Sequence, residues 1–192
     1  LKPKAGEPAA NTLFYASLQQ TAYAALDQRQ AAYEKLKTPE DIAAYQKQVR
    51  ELFIQQLGGF PERTPLNAQV VGQIDAESYT IEKVIFESQP QHHVTATMYL
   101  PKSAGPHPCV LVSSGHSRTA KAADYNQRIA ITLARHGIAA LAYDPIGQGE
   151  RSQILDEEGR PKFSGTTQEH FLVGVGSILV GKSTATYRAW DA

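Results

Sequence analysis

Two short apolar runs separated by an amphipathic stretch constrain this chain more than any other feature. Cys109-Val110-Leu111-Val112 follows Pro106 and Pro108, and Ile138 to Tyr143 is the second run. Between them, Asp124 to His136 places Tyr125, Ile129 and Leu133 on one helical face, with Gly137 as the stop. A strand that is apolar throughout has no face for water, so both runs read as strands buried on both sides. Strand, helix, strand in that order predicts a parallel pair joined by a right-handed crossover. Upstream, Tyr79 to Glu87 is rich in β-formers, and Val94, Ala96, Met98 and Leu100 alternate with His93, Thr95, Thr97 and Tyr99 up to Pro101. These predict two strands paired through the turn Ser88-Gln89-Pro90-Gln91. The expected class is α/β, with antiparallel first strands ahead of a parallel crossover.

Ahead of the sheet the pattern is helical. Leu13, Phe14, Leu18, Tyr23, Leu26, Tyr33 and Leu36 recur near helical spacing among Ala, Gln and Lys. A second helix is predicted from Thr38-Pro39-Glu40-Asp41: Thr38 can cap, Pro39 suits the first turn, and the acids suit the positive helix end. Its stripe is Ile42, Tyr45, Val49, Leu52, Phe53 and Leu57, and Gly58-Gly59 end it. After Pro61 and Pro65 the period changes, which divides the chain into a helical hairpin over 1–65 and a sheet-bearing body over 66–192.

Charge and hydropathy remove several function classes. Lys plus Arg and Asp plus Glu are both 19, with no block of one sign to grip a nucleic-acid backbone or an anionic membrane. The longest apolar runs fall far short of the roughly 20 residues of a membrane helix. Cys109, the lone cysteine, cannot form an internal disulfide and reads as a small buried hydrophobe. The only methionine is Met98, so Leu1 opens the chain as a trimmed product would. Tyr187-Arg188-Ala189-Trp190-Asp191 reads as a helix still in progress when the chain ends.

In an open parallel sheet, ligands bind beyond the carboxyl ends of the strands. After Val112 comes Ser113-Ser114-Gly115-His116-Ser117-Arg118, where Gly115 lets the backbone turn tightly and present amides to a developing oxyanion. After Tyr143 comes Asp144-Pro145-Ile146-Gly147-Gln148-Gly149-Glu150-Arg151-Ser152. Asp144 reads as an acceptor that fixes this loop. Glu150 and Arg151 either wall a pocket or pair with a following helix.

Together and in this order, the two loops resemble those of the α/β-hydrolase superfamily. The loop after the fourth strand in that fold often reads Asp-x-x-Gly-x-Gly-x-Ser, and Asp144 to Ser152 matches with one extra residue before the serine. Gly115-His116-Ser117, Asp144 to Arg151, Glu169-His170, and Val173-Gly174-Val175-Gly176 leading to Tyr187-Arg188-Ala189-Trp190-Asp191 are similar to bacterial acetyl-xylan-esterase-like hydrolases over about residues 79–192. The resemblance implies a carbohydrate esterase using Ser, His and an acid, without cofactor or metal, exported to the periplasm or medium. It gives Gly115, His116 and Ser117 to an oxyanion loop, with the amide of His116 as donor, and Gly147, Gln148, Glu150 and Arg151 to substrate contacts. The family's nucleophile lies in a Gly-x-Ser-x-Gly elbow, which occurs nowhere in this sequence. The chain is therefore expected to be the front half of such an enzyme. Its partners would be a small-molecule or carbohydrate ester and either the missing half or another copy on an open sheet edge.

Competing readings come from the same residues. Ser117, Asp144 and His170 stand in the chain order nucleophile, acid, base, which allows a compact hydrolase. Gly176-Ser177-Ile178-Leu179-Val180-Gly181-Lys182-Ser183 satisfies a phosphate-loop pattern, although its large apolar residues suit a loop and helix beside the sheet better. Gly147-x-Gly149 is a poor dinucleotide loop because Pro145 intervenes. His92-His93 is a weak metal cue, since neighbours on a strand face opposite ways. A non-catalytic interaction module is the remaining class.

Overall fold

A computed structural model describes residues 12–192, so the first eleven positions of the expected helical segment lie outside the described residues. The chain divides into two compact units at Phe53/Ile54. The smaller contains α1 (Leu13–Tyr33) and most of α2 (Pro39–Gln56). Thr38 Oγ1 accepts from the Asp41 amide at 3.1 Å, and Asp41 Oδ2 accepts from the amides of Thr38 and Lys37 at 3.1 and 3.2 Å. This reciprocal cap starts α2 where the sequence predicts it. Tyr33 and Tyr45 meet edge to face at 6.3 Å, joining the two helices as a hairpin. The apolar stripes are open to solvent: Leu18, Leu26, Val49 and Phe53 are all more than 40% exposed.

The larger unit holds one mixed sheet: β1 (Gln69–Asp75), β2 (Tyr79–Gln89), β3 (His92–Pro101), β4 (Cys109–Val112) and β5 (Ala139–Tyr143), in the spatial order β1-β2-β3-β5-β4. The first three strands and β5 pair antiparallel, and β4 pairs parallel with β5. The β2–β3 hairpin turns at Pro90-Gln91, inside the predicted turn, with Gln91 at φ +64°. β1 is not among the predicted strands. Its Val70, Val71 and Ile74 are about half exposed, so Gln69 to Asp75 carries no burial pattern to read.

The helix between β4 and β5 is α3 (Asp124–Arg135). It packs through Ala130 and Ala134 on Ala140, Ala142, Val112 and Tyr99, with Leu133 and Ile131 alongside, and buries Asn126, whose amide donates to the Ala120 carbonyl at 2.9 Å. Tyr125 and Ile129, expected on the packed face with Leu133, are about half exposed. Alanine facing alanine lets helix and sheet approach closely, so the small residues and not the large ones mark the buried stripe. Phe86, Val94, Ala96 and Tyr143 form the core on the opposite sheet face.

Two expectations fail at β4. Val112 is buried, but Cys109, Val110 and Leu111 are exposed, and the Cys109 thiol is open to solvent. The strand lies at the sheet edge with β5 on one side only, so an apolar run that would suit a central strand is left half covered. The chain continues through α4 (Thr166–Leu179) and α5 (Thr184–Asp191). The segment after α2 belongs to this larger unit: Leu57 is buried and its carbonyl accepts from Thr186 Oγ1 at 2.5 Å, while Phe60 stacks on Trp190 at 5.4 Å. That anchoring puts the division ahead of the change of period near Pro65. Among the described residues, no helix is long and apolar enough to cross a membrane.

Candidate functional site

The loops after β4 and β5 meet at one end of the sheet, and Asp144 is their anchor. Leaving the buried end of β5, it is fully enclosed. Its carboxylate accepts from Thr95 Oγ1 at 2.7 Å, from the amides of Lys121 and Glu150 at 3.1 and 3.2 Å, and from Lys121 Nζ. A buried carboxylate is tolerated only when its lone pairs are this fully engaged. Gly149 follows from it: at φ +59°, a Cβ there would lie 2.2 Å from Asp144 Oδ1. Gly147, at φ +75°, has the His170 ring where a side chain would go.

Each residue expected at the site has a definite place. Gln148 is 1% exposed, and its Oε1 accepts from the Ser117 amide at 2.9 Å, clamping the first loop to the second. The Gly149 amide donates to the Arg118 carbonyl at 3.1 Å as a second clamp. The N–H of Ser117 is thereby occupied, whereas the amides of Gly115 and His116 make no hydrogen bond among the described residues. A cavity of about 180 Å³ opens beside the clamp, lined in part by Arg118, Gly147, Gln148, Gly149, Ser152 and Phe163.

Glu150 and Arg151 do not line that cavity. The Glu150 carboxylate, largely exposed, pairs with Lys121 Nζ. Arg151 is 4% exposed and takes the ion-pair alternative. It donates to the Asp144 carbonyl at 2.8 Å, to Asp191 Oδ2 at 2.7 Å, and stands 2.9 Å from His92 Nε2. Asp191 also accepts from Ser88 Oγ at 2.6 Å. Burial pushes the Asp191 carboxyl up, but His92, Arg151 and Ser88 together outweigh it and hold it below the ordinary carboxylate range. This network ties the second loop to α5 and to the β2–β3 hairpin. Nothing local in the sequence announces it, because its members come from three separate segments.

A second cluster lies against Gly147. The guanidinium of Arg188, on α5, is 2.9 Å from His170 Nε2, and the His170 ring is 5.0 Å from that of His116. His170 is pushed down to about 4 by burial first, then by the charges of Arg188 and His116.

The compact triad is not assembled. Asp144 spends both oxygens on Thr95, Lys121 and the Glu150 amide, His170 bonds Arg188, and Ser117 Oγ bonds Thr119. An acid bonded to its histidine is what Ser-His-Asp chemistry needs, and that contact is absent. The phosphate-loop reading fails as well. Gly176 to Leu179 are the last turn of α4, Lys182 Nζ donates to the Gly58 carbonyl, and Ser183 caps α5 by accepting from the Thr186 amide. An α-helical turn directs its amides along its own axis and cannot wrap a phosphate chain. His92 is committed to Arg151 and Asp191, and His93 faces Glu87 at 3.3 Å. Among the described residues, no group of three or more His, Cys, Asp or Glu is placed to hold a metal.

The sequence profile of the Abhydrolase family matches residues 15–187. A protein described as a candidate acetyl xylan esterase (BF1801) from Bacteroides fragilis NCTC 9343 has a similar structure, with a TM-score of 0.65 at 22% identity over 80% of this chain and 42% of that one. Acetyl xylan esterase 1 from Thermoanaerobacterium sp. JW/SL YS485 gives 0.47 at 17% identity, covering 67% of this chain and 38% of that one. The chain thus spans less than half the length of either structure. No curated protein matches it. With its antiparallel start, parallel crossover and paired loops at one end of the sheet, the chain belongs to the Abhydrolase family and carries the N-terminal part of an α/β-hydrolase fold.

Proposed function

We propose that this chain forms one wall of a serine ester hydrolase acting on acetylated carbohydrate, and that the nucleophile, acid and catalytic histidine lie outside residues 1–192. The observation that carries this reading is the free His116 amide, on a loop after β4 that two hydrogen bonds clamp beside a cavity. When a serine adds to the ester carbonyl, negative charge collects on the carbonyl oxygen. A preset N–H aimed there stabilises the transition state without reorganisation, an effect of about 10²–10³ in kcat for one donor. Apart from its chain neighbours, no atom lies within 4 Å of where a Gly115 side chain would be. Gly147 and Gln148 line the cavity. The likeness to the Bacteroides fragilis protein, described as a candidate acetyl xylan esterase, supports the acetyl-sugar substrate.

In the longer protein, a fluorophosphonate probe should label a serine outside residues 1–192. His116→Pro, which removes the amide hydrogen, should lower kcat for 4-nitrophenyl acetate by about 10²-fold, while His116→Ala, which keeps it, should stay within a few-fold. Labelling of Ser117, or equal activity of the two His116 variants, would overturn the reading.

The open backbone of β4 offers the place where further strands of the sheet would add, from the rest of a longer protein or from another copy.

A further inference from the structure

An N–H can stabilise a transition state without reorganisation only if its direction is fixed beforehand. The amide of Ser117, one residue on, is tied to Gln148, but His116 is itself exposed on the loop and gains a second hold through its side chain. Its ring lies 5.0 Å from that of His170 at an interplanar angle of 49°. His170 belongs to α4 and is half-buried, and three other elements converge on it. The His116 ring reaches it from the loop after β4. Gly147, on the loop after β5, comes so close that a Cβ there would lie 2.9 Å from His170 Cδ2. From α5, Arg188 Nη2 stands 3.2 and 2.9 Å from the ring nitrogens Nδ1 and Nε2. That helix is fixed in turn by the cap between Ser183 and Thr186 and by the pair of Asp191 with Arg151.

The brace depends on the charge of His170. An arginine only donates, so the ring must offer a nitrogen lone pair, and a protonated imidazole has none. Burial first, then the charges of Arg188 and His116, push the His170 pKa down to about 4, against a backbone hydrogen bond at Ile146 that favours the proton. The carboxylate beside it on α4, Glu169, is buried and accepts from the Gln153 amide, and the Tyr143 phenol acts on Arg188. The ring is therefore neutral, and able to accept, at ordinary pH.

We propose that His170 is a positioning residue: braced by Arg188, it holds the His116 ring and so sets the direction of the His116 N–H. A side chain locked by a partner on a rigid element passes its orientation to the group it touches. The role rests on the esterase reading for what that N–H does, whereas the contact between the rings stands without it.

Hydrolysis of 4-nitrophenyl acetate by the longer protein tests it. His170→Ala should lower kcat about threefold, the scale of one aromatic contact, and leave KM unchanged. Because the effect runs through the His116 ring, His116→Ala should cost the same, and the double variant should be no slower than either single one. Circular dichroism reports the fold of each. If His170→Ala unfolds, the unmodified protein decides: with isotope-labelled histidine, the His116 amide resonance should shift with an inflection near pH 4, where the His170 ring takes its proton. Additive single effects, an unchanged kcat in a folded His170→Ala, or a His116 amide that ignores the His170 titration overturns the inference. Hydrolysis that needs the His116 N–H but not His170 removes this inference alone. Absence of ester hydrolysis removes the esterase reading and this role with it.

Discussion

Removing the Asp191 carboxylate tests whether the Arg151 network holds the second loop in place. In Asp191→Ala, Arg151 loses its one carboxylate while remaining 4% exposed, and Ser88 Oγ loses its acceptor. Stranding one member of a buried pair costs about 3–5 kcal/mol. Arg151 keeps the Asp144 carbonyl and His92, which favours the lower end, and the lost Ser88 bond adds about 1 kcal/mol. A total of about 4 kcal/mol follows. For a unit of this size that lowers Tm by roughly 14 °C. Urea unfolding followed by circular dichroism measures it, with Trp190 as a local probe, since this sole tryptophan donates to the Ser88 carbonyl at 2.7 Å. The double variant Arg151→Met, Asp191→Leu should recover part of the loss, because no charge is left stranded. A cost below about 1 kcal/mol for Asp191→Ala, or a double variant no better than the sum of the single ones, would refute the argument.

Gly149→Ala should lose at least about 3 kcal/mol in the same assay: the left-handed conformation costs about 1–2 kcal/mol, and the new methyl would displace the Asp144 carboxylate from its donors. A loss under about 1 kcal/mol would count against that contact. The His170 imidazole should titrate near pH 4 by NMR, and Arg188→Gln should move its midpoint up towards 6.5. Because the unfolded histidine takes its proton near 6.5 and the folded one near 4, its contribution is full above 6.5 and is lost as pH falls between those values. Asp191, held low in the fold, contributes fully above the ordinary carboxylate range and loses that contribution as pH falls through its folded value. A midpoint near 6.5 for native His170 would contradict its placement. Cys109 should react with a thiol reagent in the native state, without denaturant, and a thiol that reacts only after unfolding would show the β4 edge to be covered.

What could be read from the sequence is what short-range chemistry decides. Thr38 and Asp41 cap α2 within three residues of each other, Gly137 ends α3, and Val94 and Ala96 are buried as their alternation implies, although Tyr99, which alternates with them, is buried on the other face. The loops after Val112 and Tyr143 were legible because strand ends are where a sheet leaves backbone free. The clamps between them were not. Thr95 reaches Asp144 across 49 positions and Ser88 reaches Asp191 across 103, and no periodicity encodes such a meeting. Burial also depends on neighbours the sequence does not show. Cys109 to Leu111 has the composition of a central strand and the surroundings of an edge, while Asn126 and Ala130 take the packed place expected for Tyr125 and Ile129. Gly176 to Ser183 spells a phosphate loop in letters but spans a helix end and a turn.

The placing of β5 between β3 and β4 also bears on how the sheet assembles. The β2–β3 hairpin closes over a few residues, whereas the Thr97 hydroxyl meets the Ala142 carbonyl across 45 positions. Loop-closure entropy grows as about 1.5 RT times the logarithm of length, so this second closure costs about 2 kcal/mol more than a tight turn. β4 touches the rest of the sheet only through β5. The hairpin can therefore form early and alone, but β4 gains its place only once Ala139 to Tyr143 has paired with β3. The place of β4 in the sheet thus depends on this five-residue alanine-rich strand.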